Sequence, residues 1–576
     1  MTNKSNFSTI KTVLIVTSIF PIIIITIRLL KSNPVVQPEV TIPLGKILGK
    51  YTTTRHGRVI NEFIGIPYAK PPINELRFQN SVPIEPWDGI FFADNDCPIC
   101  SQILENGTYV GVEDCLVINV YTPKIDTKKL LPVMVYIHGG AFVRGDSTPT
   151  SVGPDYLLDH DVVLVSMNYR LGVLGFLSTG DHFASGNFGL KDQALALKWV
   201  QQYIKYFGGN PDSVTLFGES AGGVSVNFHV LSTATKGLFH RYIAQSGSAL
   251  CPWAFAESTT YKKYATLLGE KFNCPTNSSK HLIMCLQNIN VFDIIHSNIF
   301  TGLQGLTGIT WVPTDEPDNE DAFLTDVPLK MLLDGKIQDL PSISGGVKDE
   351  GLLVTTLLYA NETMYNSLLG NFDEFLKLIT DTYIPKGHSA SIAKSIKDFY
   401  FEDFNVHDIA KTMKQLTNFV SDVAFIFPQE LQLELAIERS TNPHYYYSFE
   451  YRGTWSRTSI FLKNNKDIGV SHTDDLIYLF KHTPDMYELP NTIQLNKNDD
   501  MMIDIFTELW ASFAITGIPT TSYANNSNIW EPYNKTKNQH LSIKDTTNIT
   551  LQEKIREPQM RFWGSVLLKL LFWSIK

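Results

Sequence analysis

Residues Pro211–Ser225 read PDSVTLFGESAGGVS, and this stretch decides how the chain folds. Val214, Leu216 and Phe217 form an apolar, β-prone run. Gly218, Ala221, Gly222 and Gly223 then remove bulk where a strand would turn sharply into a helix. The residue between them, Ser220, is the reactive candidate. A serine on a strained strand-to-helix turn projects its hydroxyl clear of the sheet while the next N–H points into the same space, and only small neighbours permit both. The pattern is G-x-S-x-G, the nucleophile elbow. Taken alone it also fits a glycine-rich turn carrying an ordinary serine, so the surrounding sequence has to decide.

A second motif stands upstream. Val133–Phe142, VMVYIHGGAF, is a buried-strand run that ends in His138-Gly139-Gly140-Ala141. An α/β-hydrolase takes one oxyanion donor from the residue after the nucleophile, here Ala221, and another from a loop of the H-G-G-G type after an early strand, here Gly140 and Ala141. Ala141 replaces the third glycine of the fullest form; it keeps its N–H and adds one methyl group beside the acyl site. Two independent motifs in the right order favour the functional reading over the turn alone. The expected fold class is α/β, an α/β-hydrolase: a large, mostly parallel central sheet with helices on both faces and antiparallel N-terminal strands.

The rest of the chain fits that expectation. At 576 residues, 43% hydrophobic and 12% aromatic, it has the material for a large core. From residue 38 onward there is no linker rich in Pro, Gly or Ser and no repeat, so residues 38–576 are expected to form a single domain. A net charge of −10 disfavours nucleic acid as a partner, because its phosphates would be repelled. A neutral or cationic small molecule is an easier ligand.

Residues 1–37 read as a separate segment. Val13–Ile27 is fifteen residues without a charge, flanked by Lys4, Lys11, Arg28 and Lys31. Its length suits a signal-peptide apolar region, whereas the lack of an A-x-A-like site suits an uncleaved anchor, with membrane attachment through residues 13–30. Either way the domain enters the secretory pathway, to be secreted or held with its catalytic part lumenal or extracellular. Six sequons agree, at Asn106, Asn277, Asn361, Asn525, Asn534 and Asn548. The six cysteines are too few for a disulfide scaffold and enough for loop staples. Cys97-Pro98-Ile99-Cys100 has no second C-x-x-C to complete a zinc site and no thioredoxin-like context, so neither metal nor cofactor is expected. Phe562–Ile575, apolar but broken by Lys569, reads as a final helix docking on the body.

In order, Glu39–Tyr68 alternates short β-prone runs with turns, which predicts antiparallel strands at a sheet edge. Further strands are expected at 116–121, 133–137, 162–167, 214–217, 242–246, 343–345 and 445–449. Strands alternating with helical stretches imply a parallel sheet covered on both faces. The clearest helix is Asp192–Phe207, where Leu197, Val200, Ile204 and Phe207 recur at helical spacing before Gly208-Gly209.

A serine nucleophile needs a base and a carboxylate to orient it, and in this fold they follow in the order Ser, Asp or Glu, His. Ten histidines lie beyond Ser220, and spacing does not choose among them. His472 stands out in Gly469-Val470-Ser471-His472-Thr473-Asp474-Asp475, a loop feeding an amphipathic run. For the acid, Ile343–Gly351 (ISGGVKDEG) leaves a strand into a turn with both Asp349 and Glu350. Chemistry alone leaves the choice open.

Four segments carry a resemblance: Gly218-Glu219-Ser220-Ala221-Gly222-Gly223, Glu113-Asp114-Cys115-Leu116, Gly346-Val347-Lys348-Asp349-Glu350-Gly351 and Gly469-Val470-Ser471-His472. Together they resemble the type-B carboxylesterases, the carboxylesterase and cholinesterase family, over about residues 39–563, and the His472 context is similar to insect esterases. The resemblance implies a serine carboxylic ester hydrolase working through an acyl-enzyme on small-molecule esters. It implies Ser220 as nucleophile, His472 as base and then acid, and Glu350 as orienting carboxylate. Gly140, Ala141 and Ala221 would be the oxyanion donors, Ser246 a support for Glu350, and Glu219 a neighbour of the nucleophile. It also implies the disulfides Cys100–Cys115 and Cys274–Cys285 and a free Cys251. Cys97 has no counterpart and is the rival partner for Cys115.

Two departures bear on substrate. No tryptophan precedes Cys115 after Cys100, where cholinesterases place the aromatic face that binds quaternary ammonium. Gly308–Pro313 lacks the paired phenylalanines that narrow the acetylcholinesterase acyl pocket. Broad or medium-to-long acyl esters, such as xenobiotic, lipid or hormone esters, are therefore expected. A juvenile hormone esterase is one alternative, although those enzymes often carry Gln where Glu219 stands. A neuroligin-like adhesion domain or an ester-scavenging protein on the same fold is another.

Overall fold

The computed structural model describes residues 37–94, 97–300, 309–383, 388–405, 407–481, 494–524 and 530–574. The hydrophobic segment at 13–30 lies outside them, as do Asn525 and residues 575–576.

Runs of Val, Ile and Tyr build the central sheet, because branched and aromatic side chains pack well on a pleated surface. Its strands are β1 (Lys50–Thr53), β2 (Val59–Pro67), β3 (Val117–Thr122), β4 (Leu131–Ile137), β5 (Val163–Met167), β6 (Gly209–Glu219), β7 (Arg241–Gln245), β8 (Ser342–Val347), β9 (His444–Phe449), β10 (Gln539–Asp545) and β11 (Asn548–Glu553). They lie in the spatial order β11-β10-β9-β8-β7-β6-β4-β5-β3-β2-β1. From β5 to β10 every neighbouring pair is parallel; β1, β2 and β3 at one edge and β11 at the other are antiparallel. The chain passes from β4 to β5 on one side and then crosses to β6 on the other. In open α/β sheets a ligand crevice forms at the carboxyl ends of strands flanking such a switch.

The parallel strands are buried on both faces, by helices that supply two large apolar clusters. One face takes Phe188–Tyr203 and Ala221–Leu231; the other takes Lys497–Thr516, whose Phe506 and Trp510 lie against Tyr447. A third cluster joins helices between Leu352 and Ser421 to the last helix, Glu557–Ser574, through Trp563 and Val566. The buried ion pair Arg170–Asp192, at 2.7 Å, ties the loop after β5 to the helix Phe188–Tyr203. Removing either partner would strand a charge at a cost of about 3–5 kcal/mol.

The helix expected at Asp192–Phe207 runs from Phe188 to Tyr203, and Ile204–Phe207 tightens into a 3-10 turn ended by Gly208 at φ 86°. Glycine tolerates that left-handed geometry where other residues strain. The antiparallel N-terminal strands are present, but Glu39–Ile42 and Gly45–Leu48 belong to a small separate sheet, where Gly45–Leu48 also pairs with Ile90–Phe92. The hairpin β10–β11 was not among the expected strands.

Cys100–Cys115 and Cys274–Cys285 are the disulfides. Cys97 and Cys251 are free and buried, so Cys97 does not displace Cys100. Burial pushes the Cys97 thiol up to about 11. The sequon asparagines 106, 277, 361, 534 and 548 are exposed. Among the described residues no helix is long and apolar enough to cross a membrane.

Candidate active site

Each sequence-predicted residue of the site sits at or just past the carboxyl end of a parallel strand or in a loop that returns to that rim. Strand β6 ends at Glu219, and Ser220 follows at φ 57°, ψ −124°, a conformation that costs a non-glycine residue strain. Three glycines make the turn sterically possible. A Cβ on Gly222 would lie 2.0 Å from the Ile137 carbonyl oxygen, one on Gly223 2.5 Å from that of Gln245, and one on Gly218 2.6 Å from the Gly222 backbone. The turn is held by the Ser220 N–H donating to the Gln245 carbonyl at 2.9 Å.

His472 brings Nε2 to 2.9 Å from the Ser220 hydroxyl and Nδ1 to 2.6 Å from Glu350 Oε2. Glu350 Oε1 accepts the Ser246 hydroxyl at 2.6 Å and the Val347 N–H at 3.0 Å. Gly346 leaves room for this: a Cβ there would lie 2.2 Å from Glu350 Oε1. Ser220, Glu350 and His472 are all nearly inaccessible to solvent. Water therefore competes little for these contacts.

Glu219 places Oε1 3.2 Å from His472 Nε2, where it finds no hydrogen-bond partner among the described residues. Burial pushes its carboxyl up to about 8, with Asp475 and Glu350 adding to the rise and His472 opposing it. For His472 burial works against the charged ring, but Glu219 and Glu350 outweigh it and raise the imidazole to about 9. Either group thus holds a proton more firmly than it would in water. A proton on Glu219 removes the leading attraction for the imidazolium.

The HGGA loop closes the opposite side. A Cβ on Gly139 would lie 3.1 Å from Ser220 Cβ, so the loop abuts the serine directly. Gly140 and Ala141 take φ 103° and 57°. No described residue accepts the N–H of Gly140 or Ala141. Ala221 opens the helix Ala221–Leu231, whose first N–H groups have no intrahelical acceptor. His138 stacks on Tyr169 at 4.4 Å, and the Tyr169 hydroxyl donates to the His138 carbonyl at 2.9 Å. This pins the base of the loop, and burial lowers the His138 imidazole, favouring its neutral form.

The structure adds groups to which sequence reading assigned no role. Asp475 accepts Gln245 Nε2 at 3.0 Å and the Tyr447 hydroxyl at 2.8 Å, behind His472, and burial lifts its carboxyl to about 6. Its signal was the pair of acids Asp474-Asp475, one residue beyond the histidine. Phe425 lies 4.8 Å from the His472 ring, on a π-turn at Asp422–Ile426. No local pattern announces that turn. Among the described residues there is no group of three or more His, Cys, Asp or Glu side chains able to hold a metal.

A hydroxyl, an imidazole and a carboxylate in line beside free N–H donors can perform acyl transfer. The model of the carboxylesterase family matches residues 36–563. This chain belongs to the carboxylesterase family. Curated relatives include a juvenile hormone esterase of Tribolium castaneum, 35% identical over 93% of this chain and 93% of the relative, and esterase FE4 of Myzus persicae, 39% identical over 86% and 87%. Among solved structures, the crystal structure of juvenile hormone esterase from Manduca sexta, with OTFP covalently attached, superposes with a TM-score of 0.81. It is 26% identical and covers 92% of this chain and 100% of that one. This family member is a carboxylic ester hydrolase with the α/β-hydrolase fold, acting on small-molecule esters.

Proposed function

We propose that this esterase works through a Ser220 acyl-enzyme. His472 Nε2 takes the Ser220 proton as Oγ attacks the ester carbonyl, and Glu350 holds the Nδ1 proton and stabilises the imidazolium. The N–H groups of Gly140, Ala141 and Ala221 receive the oxyanion. As the tetrahedral intermediate collapses, His472 returns the proton to the departing alcohol. Water then attacks the acyl group with His472 again as base, and the acid leaves. The observation that carries this reading is the unbroken line Ser220 Oγ, His472 Nε2, His472 Nδ1, Glu350 Oε2, with contacts of 2.9 and 2.6 Å.

The favoured substrates are broad or medium-to-long acyl esters. Support comes from the lack of tryptophan between Cys100 and Cys115; in that interval the aromatic residue is a half-buried Tyr109, packed on Phe292 at 5.3 Å. Residues 301–308, before Ile309, lie outside the described residues. Trp311 is buried against Tyr261 and Phe300, each at 5.1 Å. Residues 38–576 act as one domain, a reading supported by a single sheet whose strands run from Lys50 to Glu553. Passage through the secretory pathway, with residues 1–37 as signal or anchor, is supported by two disulfides and the exposed sequons at 106, 277, 361, 534 and 548.

An organophosphate should label one serine per chain, and Ser220→Ala should abolish both label and turnover. His472→Ala should cost a comparable factor, since triad members act as a unit. Label retained in Ser220→Ala would reject the assignment. A screen over acyl chain length, with a choline ester and a juvenile hormone as arms, tests the substrate class. Preference for acetylcholine would refute the wide acyl pocket, and selectivity for the hormone would favour the narrower role that two of the relatives' names carry.

A further inference from the structure

Adjacent residues Asp349 and Glu350 both reach the histidine loop, at different points. Glu350 takes the His472 ring, whereas Asp349 takes the backbone two residues earlier. Asp349 Oδ2 accepts the Val470 N–H at 3.1 Å, and the Asp349 N–H donates to the Val470 carbonyl at 3.1 Å. The backbone bond belongs to an isolated parallel bridge between Asp349 and Ser471, and the side-chain bond reinforces it, joining segments as far apart in the chain as Glu350 and His472, 122 residues. The Asp349 carbonyl accepts the Leu352 N–H at 2.9 Å and so starts the helix Leu352–Ala360. The Asp349 N–H and Oδ2 thus fix the acid turn to the base loop, while its carbonyl holds the turn itself.

The loop is shaped to receive this carboxylate. Gly469 has φ 127°, and a Cβ there would lie 2.7 Å from Asp349 Oδ2 and 3.1 Å from Leu352 Cδ1. Beyond Val470, a second carboxylate closes the other flank: Asp474 Oδ2 accepts the Ser471 N–H at 2.8 Å, and the Asp474 N–H returns to the Ser471 carbonyl at 2.9 Å. His472 therefore projects from a backbone held on both sides. Burial raises the Asp349 carboxyl while the Val470 N–H, Lys348 and Arg556 pull it back and Glu450 adds to the rise.

From this geometry, and resting on the triad reading above, we propose that Asp349 is a positioning residue for ester hydrolysis, setting the register of the His472 loop so that Nδ1 meets Glu350 and Nε2 meets Ser220. It touches neither substrate nor the reacting atoms. Its function requires an acceptor oxygen at the Val470 N–H and no negative charge. Asparagine can supply that oxygen; leucine, of similar volume, cannot.

The test compares Asp349→Leu, Asp349→Ala and Asp349→Asn in the full chain, with an aryl ester as substrate and active sites counted by organophosphate labelling. The Leu and Ala variants should lose roughly ten- to a hundredfold in kcat per labelled site, the scale of a small misplacement of catalytic groups. The acid limb of kcat/KM should move to lower pH, because an imidazole drawn away from Glu350 gives up its proton more readily; Glu219 and Asp475 are the other charged groups facing that ring. Asn should restore both turnover and the limb. A merely structural Asp349 would lower thermal stability and the number of labelled sites while kcat per site and the acid limb stayed put, and that result overturns the proposal. Should neither Leu nor Ala fold, Asn decides: a large loss of kcat per site in that variant also overturns it. Ser220→Ala is carried alongside; hydrolysis persisting there would mean that the triad reading, rather than the role of Asp349, has failed.

Discussion

The Ser246 hydroxyl donates to Glu350 Oε1 at 2.6 Å, and the opposite oxygen of the same carboxylate meets His472 Nδ1 at 2.6 Å. Ser246 thus fixes the rotation of the carboxyl group that the imidazole reads, from a backbone itself held at φ 50°. A hydrogen bond to a charged group is worth about 1.5–3 kcal/mol. Ser246→Ala leaves the Val347 N–H on the same oxygen, so Glu350 is not orphaned. Turnover should fall by about tenfold, with a modest loss of thermal stability. Steady-state kinetics with a melting curve checks this, and an unchanged kcat would show that Val347 alone suffices.

Packing at the elbow makes a sharper prediction. In Gly222→Ala the new Cβ would lie 2.0 Å from the Ile137 carbonyl; Ile137 is held by its pairing with Gly218 of β6, and Gly222 by the helix Ala221–Leu231. The destabilisation should exceed about 4 kcal/mol, giving little folded protein. Gly564→Ala is the control: its Cβ meets nothing within 4 Å on the helix Glu557–Ser574. That change should be neutral or stabilise by up to about 1 kcal/mol. Comparing soluble yield and thermal unfolding of the two variants tests the steric reading, and a well-folded Gly222→Ala would refute it.

The same close packing explains what was legible in the sequence. Strands β4, β5 and β9 announce themselves as buried runs rich in Val, Ile or Tyr, and the glycines around Ser220 record the approach of β4 and β7 as missing side chains. The β10–β11 hairpin was harder to see, because Gln539–Asp545 (QHLSIKD) mixes polar residues into a strand buried by its neighbours, not by its own apolarity. The helices between Leu352 and Ser421 were also unassigned, although Phe372–Tyr383, Ser389–Tyr400 and Ile409–Ser421 alternate apolar and polar residues at helical spacing; what no local period shows is that their apolar faces meet each other and the C-terminal helix. At the site, Ser220 was legible from spacing, whereas the choice of Glu350 over Asp349 needed the family resemblance. Both acids turn toward the histidine loop, and nothing in their local sequence chemistry says which one finds the ring.

Glu219 gives a pH prediction. Its charge is one of the attractions that hold a proton on His472, and burial keeps its own carboxyl up near 8. Glu219→Gln removes that attraction while Glu350 stays on Nδ1. The His472 imidazole should then lose its proton at lower pH, so the acid limb of kcat/KM moves down. The stability term has its own sign. A carboxyl raised in the folded state contributes most below the unfolded value of 4.5 and loses that contribution as pH rises through about 8. Glu219→Gln should therefore gain relative stability above pH 8. Rate profiles and melting temperatures between pH 5 and 9 test both signs, and an acid limb moving upward would contradict the account.

Glu350 carries the last prediction. In the proposed mechanism the carboxylate accepts the Nδ1 proton of His472, selecting the tautomer in which Nε2 is free to act as base toward Ser220, and its charge stabilises the imidazolium formed during attack. An amide of the same shape can occupy the same space. It supplies no charge, however, and its NH₂ group can donate to Nδ1 and hold the ring in the wrong tautomer; in serine proteases the equivalent change costs about four orders of magnitude. Glu350→Gln should keep the fold, because Ser246, Val347 and the room left by Gly346 accommodate an amide as well as a carboxylate. Its turnover should fall by roughly three to four orders of magnitude. The residual rate, above that of uncatalysed hydrolysis, would measure what the N–H groups around Gly140, Ala141 and Ala221 contribute without a competent base. Near-normal turnover in a variant whose melting curve matches the parent would show that another group orients His472, and the nearest other carboxylate to that ring is Glu219, at 3.2 Å from Nε2.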